Sequence, residues 1–225
     1  MTRLTIFLAV ALWFSATQAD AQFPCPAGGV SVIADPDPDP DAALELCDLT
    51  ARAIDELAAC SVPLQRTIQI EIVDTLPDGC VGQYYCGEDR IELLSRDAAQ
   101  RILDPDGAFS SIDPDAYFYS ILVHELTHAA LDGMPCPVSD CIASQEYVAY
   151  AMQMRSYSPE VRAAVLTRPD FDRPIAAEEI NPFIVLMAPE VFIQKVWRHF
   201  SQQDDPCSFI GEVVSGAFLF DHEMF

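Results

Sequence analysis

Lysine is all but missing from this chain. Of 225 residues only Lys195 is a lysine, and Lys and Arg together number 12 against 35 Asp and Glu. The formal net charge of -23 at pH 7 repels phosphate backbones and anionic lipid surfaces. Nucleic acid is therefore not an expected partner, and the plain use of such acidity is solubility in an extracytoplasmic or saline setting. No Cys-x-x-Cys occurs, which argues against a thiolate zinc site, and no Gly-x-Ser-x-Gly elbow supports serine catalysis. Beyond the first residues no apolar run is long enough to cross a bilayer, so no membrane anchor is expected in the mature chain. With no internal repeat and no break in composition, residues 22–225 read as a single domain.

The N-terminus reads as an export signal. Met1-Thr2-Arg3 precedes an apolar stretch over residues 4–14, and the small residues Ala19 and Ala21 place cleavage after one or the other. The expected location is secreted or periplasmic. All eight cysteines lie beyond this segment, and an even number in an exported chain implies disulfides. The close pairs Cys80/Cys86 and Cys136/Cys141 could each close a small loop, but eight cysteines allow about 105 connectivities and spacing does not choose among them. Cys25 follows Gln22-Phe23-Pro24, which lacks the small apolar residues of a lipid-attachment site.

Residues 35–41 alternate Asp and Pro, as in an extended solvated tether. Helical spacing follows, with Leu44, Cys47, Leu49, Ala51, Ile54, Leu57 and Ala58 as the apolar stripe. From 67 to 73 the period changes to two, with Ile68, Ile70 and Ile72 on one face and Gln69 and Glu71 on the other, which predicts a strand. A Gly- and Cys-rich loop leads to a second strand over 89–95, whose edge could receive an extended peptide. The rest is helical: a brief helix over 97–103, then one capped by Asp113, opened by Pro114 and stopped by Gly133 and Pro135. Another starts near Ser139 or Ser144 and runs to Tyr157, with a further one opening at Ser158-Pro159 and others over 181–187, 189–200 and 208–218. Strands first and helices later make an α+β fold, a small sheet with a mostly helical C-terminal half.

The chemistry lies in His124-Glu125-Leu126-Thr127-His128. On a helix, histidines four residues apart project from one face, where two imidazoles can grip one metal ion. Glu125, about a third of a turn round, can reach a water at that metal without ligating. The surrounding helix is apolar nearly all round, so these three polar side chains are expected to be buried and to need partners. A catalytic zinc site takes a third protein ligand and leaves one position open. Glu146 lies 18 residues after His128 and is the only charge between Asp140 and Arg155. A cation must face it in an apolar helix, and one zinc ion suffices; Arg155 or Arg162 is the structural alternative.

Together these residues resemble the gluzincin metallopeptidases, the thermolysin-like division of the zincins, over residues 113–157. The wider context also resembles a group of short, exported, uncharacterised gluzincin-like proteins. The resemblance implies a zincin-like sheet over an active-site helix, a second helix supplying Glu146, and hydrolysis of peptide or protein substrates. Many gluzincins carry an aspartate four residues after the third ligand, where this chain has Tyr150. The metzincin pattern fails, since it would need Gly at Leu131 and His at Met134. A donor for the developing oxyanion is also required, with Tyr147, Tyr150, Tyr157, His199 and His222 as candidates. The alternative is a disulfide-stapled, non-catalytic binding protein whose motif holds a structural metal or none.

Overall fold

The computed structural model describes residues 21–26, 30–34, 40–77, 79–166 and 173–221. Residues 1–20 of the expected signal segment, residues 35–39 of the expected tether and His222 lie outside the described residues, while Ala21 opens β1. The described strands are β1 (Ala21–Pro24), β2 (Val30–Ala34), β3 (Ile68–Val73), β4 (Gly82–Tyr85) and β5 (Arg90–Leu94). The helices are α1 (Pro40–Ala58), α2 (Arg96–Ile102), α3 (Pro114–Leu131), α4 (Ile142–Ser156), α5 (Pro159–Val165), α6 (Pro182–Met187), α7 (Pro189–Ser201) and α8 (Pro206–Val214). The sheet order is β1-β2-β3-β5-β4, with β2, β3 and β5 parallel and both outer strands antiparallel to their neighbours. The α+β expectation holds.

Helix α1 runs between the parallel strands β2 and β3, the connection a parallel pair needs. Its buried stripe is Ala43, Leu46, Cys47, Thr50, Ala53 and Leu57, rotated from the one expected, and Leu44 is 41% exposed. Thr50 can lie on that stripe because its hydroxyl donates to Leu46 O at 2.7 Å. The helix also begins at Pro40, inside the expected tether, as a proline at its first turn allows. On β3, Ile68 and Ile70 are fully buried, but Ile72, expected on the same face, is 40% exposed. The loop expected between β3 and β5 contains β4, whose four residues, one of them glycine, are too few to show a period. Its presence corrects a second expectation: β5 pairs with β3 on one side and β4 on the other, so β4 holds the free edge.

Helix α3 is buried along nearly its whole length and packs on α1, β4, β5 and α4. Asp113 caps it, accepting from the Asp115 and Ala116 amides at 3.0 and 3.3 Å, and Gly133 at φ +90° carries the chain out of it. Helix α8 ends earlier than its pattern suggested, at Val214, where Gly216 at φ +72° turns the chain away. Three disulfides staple these layers: Cys25–Cys47, Cys60–Cys207 and Cys136–Cys141. They fit an oxidising compartment. Cys80 and Cys86 are not bonded to each other. They stand on either side of the extended strand β4. Among the described residues no helix is long and apolar enough to cross a membrane.

Candidate metal centre

Three of the expected ligands converge. His124 and His128 Nε2 atoms are 3.0 Å apart, His128 Nε2 is 3.4 Å from Glu146 Oε1, and His124 Nε2 is 3.6 Å from Glu146 Oε2. One donor atom from each lies within 4.8 Å of the others, so the cluster could hold a metal ion. Tetrahedral zinc, with bonds of about 2.0–2.2 Å to N or O, sets its donors roughly 3.3–3.5 Å apart, close to the spacing found here. The donor set therefore fits zinc. Among the described residues no fourth His, Cys, Asp or Glu joins the group. Neither arginine takes Glu146: Arg155 reaches Glu56 O, and Arg162 reaches the carbonyls of Met154 and Tyr157.

Long-range contacts place α4, which carries Glu146. Its first turn has no side-chain cap of its own. The Asp221 carboxylate, from the far end of the chain, accepts from Ala143 N at 2.8 Å, Ser144 N at 3.0 Å and Ser144 Oγ at 2.6 Å. The Cys136–Cys141 bridge closes the connector immediately before it.

Burial governs the electrostatics. It pushes the Glu125 carboxyl up to about 8, with the Glu146 charge adding to it and the Tyr84 amide opposing it, and pushes Glu146 up to about 7. It holds His128 down at about 4; burial and then the His128 charge hold His124 well below the usual histidine range. Neutral imidazoles are the ligand form, and a cation beside these carboxylates would favour their charged form.

Glu125 has its own cradle. Oε2 accepts from Tyr84 N at 2.8 Å, across the free edge of β4. A Cβ on Gly82 would sit 2.8 Å from Glu125 Cγ, Glu125 Oε1 and Ile121 Cγ2, so only glycine lets the strand come this close. Tyr84 is tied in turn to the end of α3: its hydroxyl donates to Asp132 Oδ2 at 2.6 Å, and Arg66 Nη1 reaches both side chains. The cluster opens into a cavity of about 800 Å³ bounded by β4, Phe109, Tyr117, Ile121, Tyr150 and Ile193.

The expected oxyanion donors separate. Tyr150 lines the cavity and sets its ring edge-on to His124, centroids 4.6 Å apart. Tyr147 and His199 turn inward and bond each other, Tyr147 OH to His199 Nδ1 at 2.9 Å, within an aromatic cluster that includes Phe209 and Phe220. Neither borders the cavity. One step along α4 from Glu146 rotates Tyr147 by about 100°, into the core. Tyr157 OH is taken by Ser120 Oγ at 2.5 Å.

Sequence reading missed Gly82, Tyr84, Asp221 and Gln153. Gln153 Oε1 lies 3.0 Å from His124 Nδ1, occupying the orienting role for which the position four after Glu146 offered only a tyrosine. A signal for it existed: Gln153 sits two turns after Glu146, a polar residue on the same apolar helix face.

A family model described as "Family of unknown function (DUF6639)" matches residues 32–223. No curated protein and no solved structure matches the chain.

Proposed function

The chain belongs to the DUF6639 family of unknown function, and on that premise we propose that it is an exported zinc-dependent hydrolase of peptide or other amide bonds, built on a zincin-like fold. One observation carries the reading: three donors, His124 buried and His128 and Glu146 half-buried, meet at zinc spacing, with a separate carboxylate, Glu125, beside them in a cavity. His124, His128 and Glu146 would hold the ion. When bound, zinc would polarise the scissile carbonyl and lower the pKa of water towards neutrality.

The residues supply the rest. Glu125, fixed through Oε2 by the Tyr84 amide, takes a proton from the attacking water and delivers it to the leaving nitrogen. Tyr150 lines the cavity, and its hydroxyl, kept protonated by burial, is the candidate donor to the developing oxyanion. The free edge of β4 borders the same cavity, which suits an extended substrate backbone.

The test combines metal analysis of the purified mature chain with cleavage of a diverse peptide library. Glu125→Gln is expected to keep its zinc and lose turnover, and Glu146→Ala to lose zinc. Full activity in Glu125→Gln would refute the mechanism. A wild-type chain that cleaves nothing with zinc bound would favour a structural metal in a binding protein.

A further inference from the structure

We infer that Gln153 is a positioning residue that holds His124 in the tautomer able to bind a metal, and that Ser120 dictates which end of the Gln153 amide does so. This rests on the metal-site reading above and deepens it. Gln153, Ser120 and Tyr157 are 2%, 0% and 4% exposed, so their polar atoms must satisfy one another.

Donor accounting gives the direction. A serine hydroxyl has one proton and two lone pairs, and Ser120 Oγ has three partners. These are Tyr117 O at 2.7 Å, Tyr157 OH at 2.5 Å and the Gln153 side-chain nitrogen at 3.3 Å. The carbonyl of Tyr117 can only accept, so it takes the proton, and the other two partners must donate. The NH2 end of the amide therefore faces Ser120 and the carbonyl end faces His124 Nδ1 at 3.0 Å. A carbonyl only accepts; Nδ1 carries the ring proton, and Nε2 is left with a free lone pair. Nε2 is the atom directed at His128 and Glu146. With the amide turned round, its nitrogen would force the ring proton onto Nε2, and two acceptors would meet at Ser120 Oγ.

An amide can do both jobs because it is a donor at one end and an acceptor at the other. A carboxylate at 153 would still accept from Nδ1 but would set a second acceptor against Ser120. Ser120 stands one turn before His124 on α3, so two residues that touch no ligand position of the metal decide its chemistry.

The experiment uses the full mature chain, metal-free and then titrated with zinc in competition with a chromophoric chelator. Long-range proton–nitrogen NMR of the imidazoles reads the tautomer. The wild type is expected to show His124 protonated at Nδ1 before any metal is added. Gln153→Leu is expected to lose that single tautomer and bind zinc about 10–100-fold more weakly. Ser120→Ala should weaken zinc by about 2–10-fold, the worth of one buried hydrogen bond. Gln153→Glu should recover affinity relative to Gln153→Leu. Circular dichroism checks folding; should Gln153→Leu fail to fold, Ser120→Ala carries the test. A wild-type His124 protonated at Nε2, or folded variants with unchanged zinc affinity, would overturn the inference. A wild type that takes up no zinc removes the proposed function, and the tautomer in the same metal-free sample then decides the inference alone.

Discussion

Substituting Gly82 by alanine tests how β4, α3 and Glu125 are held together. The added Cβ would meet three atoms of α3 at 2.8 Å, where carbon contacts settle at about 3.5–4.0 Å. Ile121 and Glu125 are 8% and 7% exposed, packed in the buried face of α3, so the helix has little room to yield. The strand must retreat by roughly 0.7 Å. That stretches the 2.8 Å bond between Tyr84 N and Glu125 Oε2 to about 3.5 Å, the limit of a hydrogen bond. Overpacking of this kind costs about 1–3 kcal/mol and the lost bond about 1 kcal/mol more. A total near 3 kcal/mol corresponds to a fall in Tm of roughly 6–12 °C for a chain of this size. The ligands lie on α3 and α4, so Gly82→Ala should still bind one zinc. Turnover should fall by about 100-fold as the proton carrier loses its anchor. Calorimetry, metal analysis and peptide cleavage on one sample separate these effects. An alanine variant with wild-type Tm and wild-type turnover would refute the reasoning.

Other expectations follow from the same contacts. Removing zinc with a chelator should lower Tm by roughly 8–16 °C, since a ligand at a thousandfold its Kd contributes about 4 kcal/mol; an unchanged Tm would mean the cluster holds no metal. Asp221→Ala leaves three buried donors of α4 without an acceptor and should cost about 2–4 kcal/mol in denaturant unfolding while weakening zinc through Glu146; a loss below about 0.5 kcal/mol would show that the cap is idle. Burial holds His199 down at about 4 against 6.5 in the open chain, so between these values the unfolded state binds the extra proton. Stability from this group is complete above about pH 6.5 and is lost as pH falls towards 4, by up to about 3 kcal/mol. His199→Gln should flatten that slope relative to wild type, and parallel pH profiles would disprove it.

Local chemistry was legible residue by residue. The cap Asp113-Pro114, the stop at Gly133 and the four-residue spacing of His124 and His128 all act within a turn or two of helix, where sequence distance and spatial distance coincide. Glu146 was legible for an energetic reason: a lone carboxylate in an apolar helix is costly unless a partner faces it, and the structure sets it beside the two histidines. Strand β4 was not, because four residues containing glycine cannot display a period, and its place at the edge depends on pairing with β5. The α1 stripe turned out rotated because burial is decided by what packs on the helix, not by its own hydropathy.

By itself, then, the sequence determined the helix that presents two imidazoles and a carboxylate, the anion that faces them, and the disulfide-rich, acidic character of the chain. Only the tertiary structure decided how those groups are held. It brought Gln153 to His124, Tyr84 and Gly82 to Glu125, and Asp221 to α4, and left Cys80 apart from Cys86. The first three depend on the distance between elements remote in the chain, and the last on a strand too short to show in the sequence.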